Sequence, residues 1–596
     1  MVFSGDVGKL PRDRAQRNYF VPSEIGFLVR NNNPNAPAQR ISDEDTLGTI
    51  QTALDEYDKG FNSTLNPDIP PRVTSLPGFS VAFKQVNTKV VQTDIDLLEL
   101  IQKLNAAFYD AQGEIKTKTV PPNGKPYQVL AALPNWFSGA QQGRPTGTGG
   151  PGGLPVQAQA VQPLTFTGDT PSAILSKLGI PATQKGSSTE IPDHINIYIL
   201  DTVPNKDGIN TKCSRYGSSA EAGELVQLLF GNCADFDDSQ PNELHWGDRF
   251  SIYYDPTLDP NFSDNFVPSH HYDMRDHGLF IASLIAQQYP VFYANMIQGQ
   301  NPPPLKIHLI QVLSNYGVGS TDSMLKGLAK ALEIQNRPEN MKSPSLVNCS
   351  WVLSAPCHMA HLVNPFDDNL VLSPLESHLM GHLNVAKGSV AVGVTHIIDF
   401  IEYLRGLRAL HEQFALLRDT TQALLFACAG NDGHWGHARA NARLPAAYTE
   451  VIGVTALSEP HGQKTSSYAN IADEPSNVGY AIWGGENDQN GVTVGTDTVY
   501  FTDPGNSPVG LYFNDAFPNE LGEENAGAGN PHGGSNTTGL AHWAGTSFAT
   551  PLVAATFAAS LALKWTNSPA DFDTVETAIR STTAPATADN ETTIPL

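Results

Sequence analysis

The stretch Gly545-Thr546-Ser547-Phe548-Ala549-Thr550-Pro551 sets a serine between a turn-prone Gly-Thr and a long run almost free of charge. That run, Pro551 to Leu563, carries Leu552, Val553, Ala554, Ala555, Phe557, Ala558 and Leu561, and it reads as a fully buried helix. Ser547 then falls at or just inside the helix N-terminus, where unpaired N–H groups and the positive dipole end favour a developing negative charge. Two readings fit. Ser547 caps an ordinary core helix, or it is a nucleophile that must generate an oxyanion. The rest of the chain decides between them.

From Ile191 onward, strand-like runs alternate with helical patterns. Ile195 to Leu200, Ile307 to Leu313, Leu346 to Ser350, Leu424 to Ala429 and Val451 to Ala456 read as strands, and Ser323 to Ile334 as a helix. Such alternation predicts an α/β fold: a doubly wound, mainly parallel sheet with helices on both faces. In such sheets ligand chemistry sits at the carboxyl ends of the strands. Asp201 follows the first strand, His277 opens a helical stretch through Leu284, and Asn431 closes Ala429-Gly430-Asn431-Asp432-Gly433 directly after a strand. A serine hydroxyl needs a histidine to accept its proton, a buried aspartate to orient that imidazole, and an amide with a backbone N–H to bind the oxyanion. Asp201, His277, Asn431 and Ser547 supply that set.

Here the chain resembles the subtilisin-like serine peptidases, the subtilase family, in the order Asp, His, Asn, Ser over about 191–570. Gly-Thr-Ser-x-Ala-Thr-Pro at 545–551 matches the nucleophile box, and Ala-Gly-Asn-Asp-Gly the oxyanion loop. The resemblance implies a serine endopeptidase with catalytic Asp201, His277 and Ser547 and with Asn431 in the oxyanion hole. It implies a bound peptide flanked by Tyr316, Gly317 and Val318 on one side and by Ser350, Trp351 and Val352 on the other, with Gly430 nearby. Ala442-Arg443-Leu444-Pro445 resembles the base of the primary specificity pocket, and Arg443 there suggests preference for an acidic side chain. The chain departs from the family pattern at Thr202-Val203-Pro204, at Leu279 and Phe280 after His277-Gly278, and at Trp351-Val352. Those bulky residues suggest a narrowed entrance. The wide spacing points to large surface insertions near Ser354 to Gly393 and Gly484 to Leu540.

Ahead of this domain the pattern is α+β. After a flexible stretch (1–18), residues 19–137 offer strands at Ile25 to Val29, Phe79 to Phe83 and Tyr127 to Leu133, with helices at Thr46 to Tyr57 and Asp94 to Phe108. This order suits a small split βαβ, ferredoxin-like domain. It is similar to the family's inhibitory propeptide, which implies a zymogen with that propeptide as a partner in cis. Residues 138–190 are rich in Gly and Pro and read as a linker and processing region, apart from a short helix at Pro171 to Leu178. The catalytic domain is then 191–596. A rival from another class is a catalytically restrained regulatory or binding protein that keeps the fold. An α/β-hydrolase esterase lacks support, because no Gly-x-Ser-x-Gly elbow surrounds Ser547.

Composition bounds the partners. The 596 residues carry 36 basic and 60 acidic side chains, net −24, which argues against nucleic acid and anionic membranes and leaves a protein or peptide substrate. No uninterrupted apolar stretch is long enough for a membrane span, and residues 1–17 lack the apolar core of a signal peptide. Five cysteines do not suggest a disulfide framework, so a cytoplasmic setting is expected, with secretion as the alternative. In the latter case Cys213 and Cys233 are the pair placed to close a loop. The triplets at Asn62 and Asn536 decide nothing without a secretory signal. The resemblance implies no cofactor for the chemistry and allows structural calcium, although no compact Asp/Asn ligand loop stands out. Cys357, His358, His361, His378 and His382 have zinc-compatible types, yet groove-lining histidines are the plainer reading, and no metal ligand is assigned.

Overall fold

A strand covered on both faces must be apolar throughout, and Ile195–Asp201 is buried at every position. The computed structural model describes residues 20–57, 69–86, 126–139, 152–161, 170–180, 192–258, 273–297, 300–353, 423–431, 442–472, 479–519, 533–566, 570–582 and 592–594, apart from isolated positions, and a few single residues between 97 and 108. The elements of the N-terminal region are β1 (Phe20–Asn31), α1 (Asp43–Tyr57), β2 (Arg72–Leu76), β3 (Phe79–Gln85) and β4 (Tyr127–Gly139). They are followed by β5 (Val156–Gln157), α2 (Thr170–Lys177), β6 (Ile195–Asp201), α3 (Ile209–Gly217), α4 (Gly223–Phe230), β7 (Phe236–Asp237), β8 (Glu243–Trp246) and β9 (Phe250–Tyr253). Then come α5 (His277–Met296), β10 (Leu305–Gln311), β11 (Val318–Ser320), α6 (Thr321–Gln335), β12 (Ser345–Cys349), β13 (Val352–Leu353), β14 (Ala423–Cys428), β15 (Ile452–Leu457) and β16 (Tyr480–Trp483). The short strands β17 (Val492–Val494), β18 (Asp497–Val499), β19 (Val509–Leu511), β20 (Ala516–Phe517), β21 (Gly534–Ser535) and β22 (Leu540–His542) lead to α7 (Thr546–Lys564), α8 (Ala570–Thr582) and β23 (Thr592–Thr593).

The large sheet runs β23-β16-β15-β14-β12-β6-β10-β9-β8-β7. It is parallel from β23 to β9, and only the edge strands β8 and β7 are antiparallel. This is the α/β, mainly parallel architecture that the alternating pattern predicts. The predicted strands recur within two residues of their expected ends, because continuous apolar runs mark both-face burial more sharply than they mark termini. The helix α7 is buried from Thr546 to Leu563 and packs on α5 and on β12, β14, β15 and β16. Among the described helices only α7 is long and apolar enough to cross a membrane, and it is wholly enclosed by protein.

In the N-terminal region β4, β1, β3 and β2 lie side by side in that order, antiparallel throughout, with α1 packed on them. Of the expected 94–108 helix, Leu97, Ile101, Leu104 and Phe108 are buried, while Ile95 and Leu98 lie outside the described residues. The strand β2 was missing from the sequence expectation, because Arg72-Val73-Thr74-Ser75-Leu76 is too polar to stand out. The strand β4 continues to Gly139, two residues beyond the expected end of its domain. Part of the supposed linker is built into the body that carries the large sheet: β5 pairs with β22, and Trp543 Nε1 donates to Gly153 O at 3.1 Å. The expected insertion 354–393 lies outside the described residues. That at 484–540 is no mere surface addition, since β19, with Leu511 buried, packs on α4 and α5, and the buried Phe513 stacks on Phe230 of α4. Asn536 is also buried and donates to the Tyr512 and Asn514 carbonyls, so it is no glycosylation acceptor in the folded chain.

One close approach joins the first turn of α5 to the end of β6. A Cβ on Gly278, in the first turn of α5, would stand 2.3 Å from Thr202 O and 3.0 Å from Asp201 Cβ. Only glycine lets α5 come down onto the end of β6. Gly278→Ala is therefore expected to destabilise the protein by roughly 1–3 kcal/mol, as overpacking does, read as a lower denaturation midpoint. An unchanged midpoint would show that the approach is relaxed.

Candidate functional site

The end of β6, the start of α5, the loop after β14 and the start of α7 converge on one place. His277 Nδ1 lies 2.7 Å from Asp201 Oδ1, and both side chains are fully buried. Asp201 Oδ1 also accepts from Thr202 N, while Thr202 Oγ1 donates to Met274 O and Arg275 O and accepts from Gly278 N. Thus Thr202, in the unusual Thr-Val-Pro segment, pins the helix that carries His277. The His277 ring packs edge-on against Trp543 at 5.4 Å and at a tilt against Phe548 at 5.1 Å between centroids. Phe548 follows Ser547, so the imidazole sits beside the start of α7.

Asn431 Oδ1 accepts from Thr546 N at 3.0 Å and from Thr546 Oγ1 at 2.9 Å. Its Nδ2 is buried and, among the described residues, without a hydrogen-bond partner, as is His277 Nε2. A donor and a ring nitrogen left unsatisfied in a buried site are what a reacting group would engage. Gly430 holds φ at 111° and donates its N–H to Thr546 Oγ1. Ser547 Oγ donates to Ser350 O at 3.1 Å, and Ser350 Oγ donates to Ser547 O at 2.8 Å. The hydroxyl is thus directed at the β12–β13 connection and not at His277. Cys428 lies against Ser547 and Thr546, but burial pushes its thiol up to about 12. Cys349 is raised as well, again by burial, so both thiols remain protonated at neutral pH.

The strands expected to flank a peptide are occupied by this chain's own β4. Phe137, Ser138 and Gly139 pair antiparallel with Ser320, Gly319 and Val318 of β11, and Ser138 and Gly139 also pair with Leu353 and Val352 of β13. Gly317, at φ 69°, makes the turn before β11, with Tyr316 half-buried beside it. Below the cleft the N-terminal region is fastened to the first turn of α6. Arg72 holds both Glu24 oxygens at 3.0 and 2.7 Å and donates to Asp322 Oδ2 at 2.7 Å. Asn135 donates to Glu24 and accepts from Asp322 N.

Leu279 and Phe280, expected to narrow the entrance, do not reach it. Both are 0% exposed, and Phe280 packs on Trp543 and Phe548 behind the His277 ring. The reason is helical geometry: positions after His277 turn away from the cleft into the core. Trp351 is equally buried. Arg443 is brought to the site, since its N–H donates to Ala429 O and its Cδ would stand 3.5 Å from a Cβ on Gly430. Leu353 N donates to Leu444 O, tying the same segment to β13. Sequence reasoning missed Trp543, Gly153 and Asp276; a buried carboxylate directly before His277 was the one legible signal. The five residues weighed for zinc lie outside the described residues, and among the described residues no group of three or more His, Cys, Asp or Glu is arranged for a metal ion. For calcium the described residues offer no such set, and no step below depends on it.

The subtilase family model matches residues 249–593, more than half of the chain. The chain belongs to the subtilase family. It is thereby a serine peptidase in type, with proteins or peptides as the substrate class and no cofactor needed for the chemistry. The match starts after β6, so Asp201 stands on its hydrogen bond to His277 alone. No curated protein matches this subtilase in sequence.

Arg72 is the keystone of the interface. Arg72→Ala leaves Glu24, 4% exposed, without its cation, and leaves Asp322, 7% exposed, with Lys326 alone at 3.2 Å. Because Arg72 is itself 30% exposed, the loss is expected to fall below the ~3–5 kcal/mol of a fully buried pair, on the order of 2 kcal/mol. Hydrogen exchange should then speed up in Phe137–Gly139 and in Val318–Ser320 together. Unchanged protection there would mean that β-pairing alone holds the N-terminal region.

Proposed function

We propose that this subtilase is a serine endopeptidase made as a precursor, with its N-terminal domain lying in its own cleft. The observation that carries the reading is the antiparallel seating of Phe137–Gly139 between β11 and β13, the way an extended peptide adds to exposed strand edges. The pairing advances toward Ser350, to which Ser547 is hydrogen-bonded. Ser547 is the nucleophile, His277 the general base and then acid, and Asp201 holds the His277 tautomer through Nδ1. Asn431 Nδ2 and the Ser547 N–H receive the oxyanion. The two buried, unpartnered atoms, His277 Nε2 and Asn431 Nδ2, support these roles, since one awaits the hydroxyl proton and the other the carbonyl oxygen. Ser547 turned toward Ser350 O is the resting rotamer of the covered state. Tyr316, Gly317, Val318, Ser350, Trp351, Val352 and Gly430 line the peptide path.

The order β4-β1-β3-β2 with α1 packed on it supports a ferredoxin-like, propeptide-like domain over 19–137. Processing falls between Gly139, the last residue paired in the cleft, and Gly152, whose carbonyl accepts from Asn487 Nδ2. That is narrower than the 138–190 region expected from composition. The bond between Cys213 and Cys233 supports the oxidising, secreted setting over the cytoplasmic one.

Fluorophosphonate labelling with N-terminal sequencing tests the reading. Wild type should carry the label and a new N-terminus between residues 140 and 152, whereas Ser547→Ala should stay unlabelled and intact. Loss of the triad serine lowers kcat by ~10⁶, a figure itself measured on a subtilisin. Label persisting in Ser547→Ala sinks the nucleophile, and an active but uncut wild type sinks the precursor. A wild type neither labelled nor cut would point instead to a restrained regulatory protein.

For specificity, we propose that Arg443 favours an acidic side chain before the scissile bond, because its stem lies against Gly430 of the oxyanion loop. Arg443→Ala is expected to lower cleavage after Asp or Glu at least tenfold relative to other residues, about 1.4 kcal/mol. A peptide-library profile without acidic preference, or unaltered by the substitution, removes the idea.

A further inference from the structure

A carboxylate that the proposed chemistry does not use stands directly before the histidine. Asp276 is 1% exposed, and its side chain does not cap α5. Its Oδ2 instead accepts from Phe513 N at 2.6 Å and from Asn514 N. The same backbone is tied to α5 two turns further on, where Leu511 N donates to Ser283 Oγ at 2.9 Å. The 511–514 segment is thus hung from the helix that carries His277. Next to it Tyr512 meets Trp543 edge-on at 5.9 Å, and Trp543 in turn meets the His277 ring. Asp276, the Phe513 and Asn514 amides, Tyr512, Trp543 and His277 form a closed loop of contacts.

We propose, on the serine peptidase reading above, that Asp276 is a positioning residue: its ionised carboxylate holds the 512–514 backbone so that Tyr512 and Trp543 brace the His277 ring. Hydrogen bonds to a charged acceptor are roughly twice as strong as neutral ones. Protonation of Asp276 therefore loosens the brace without removing any side chain. The groups facing it come from several elements. Asp273 lies on the approach to α5, paired with Arg275. Lys212 of α3 donates to Phe513 O at 2.6 Å and pairs with Asp515. Tyr216 of α3 and Tyr254 past β9 also feel its charge. Burial, helped by the Asp273 charge, raises Asp276 to about 6, with Lys212 and the two amides pulling the other way.

The sign separates positioning from plain stability. A carboxyl raised from 3.8 to about 6 on folding contributes stability that is present below the unfolded value and lost as pH climbs through 6. Acidification from pH 7 to 4 thus favours the fold through Asp276 while the brace weakens. Stability and activity run in opposite directions over that window.

The test is the rate of Ser547-dependent fluorophosphonate labelling from pH 4 to 8, for the full chain as purified, in wild type and Asp276→Asn, with melting temperatures at each pH. In wild type, protonation of Asp276 should add an extra fall of up to roughly tenfold on the acid side, so that log rate drops more steeply there than in Asp276→Asn. Asp276→Asn keeps an acceptor oxygen but no charge, so this extra fall should be absent. Its plateau rate should fall by roughly tenfold, short of the ~10² that a misplacement of about 1 Å costs. Wild-type melting should rise relative to Asp276→Asn as pH falls from 7 to 5. An acid-side fall in wild type no steeper than that of Asp276→Asn overturns the proposal. Absence of any Ser547-dependent label removes the peptidase reading and this inference with it. If Asp276→Asn fails to fold, the wild-type slope decides, above one for the proposal and at one throughout against it.

Discussion

The contact between the carboxyl end of β6 and the first turn of α5 is the constraint on which the rest depends. Asp201 and His277 come from segments 76 residues apart and meet at 2.7 Å with no solvent around them. A buried carboxylate facing a buried imidazole is tolerable only when each satisfies the other and the geometry holds. The fold guarantees it in three ways. Gly278 removes the side chain that would keep the helix off the strand, Thr202 hydrogen-bonds the turn that leads into the helix, and α7 wedges α5 against the sheet. The same wedge delivers Thr546 to Asn431, and hence Ser547 to the site.

On that rigid floor the N-terminal region makes two unlike attachments. Its last strand adds to β11 and β13 through backbone hydrogen bonds, which are indifferent to side-chain identity and open to any extended chain. Its body adds a specific polar network, Glu24-Arg72-Asp322-Asn135, at the start of α6, where the helix dipole favours the Asn135 oxygen on Asp322 N. The first attachment resembles what a substrate must make, while the second belongs to this domain alone. A peptide that lacks this domain can make only the first.

Much of the architecture was legible in the residues. Continuous apolar runs at Ile195–Leu200 and Leu424–Ala429 mark strands buried on both faces, and the charge-free run after Ser547 marks an enclosed helix. Asp201, His277, Asn431 and Ser547 stand at strand ends or helix starts, so their meeting place followed from the rule that parallel sheets work at their carboxyl ends. The closeness of Arg443 to Gly430 was not legible: the resemblance singled out Arg443, and the packing set its stem against the oxyanion loop. Leu279 and Phe280 were misread, because adjacency to a site residue in sequence says nothing about the helix face on which a side chain emerges.

The sequence by itself determined the class of fold, the order of the site residues and their chemical types, because periodicity and residue chemistry are local properties. Only the tertiary structure decided which groups are satisfied and which are left waiting. It turned Ser547 toward Ser350 instead of His277, left His277 Nε2 and Asn431 Nδ2 unpartnered, and laid Phe137–Gly139 between strands some 180 to 215 residues away. It also made Asp276 a clamp on a segment more than 200 residues distant. Hydrogen-bond partners at such separations depend on how packed elements meet, and no local pattern encodes that.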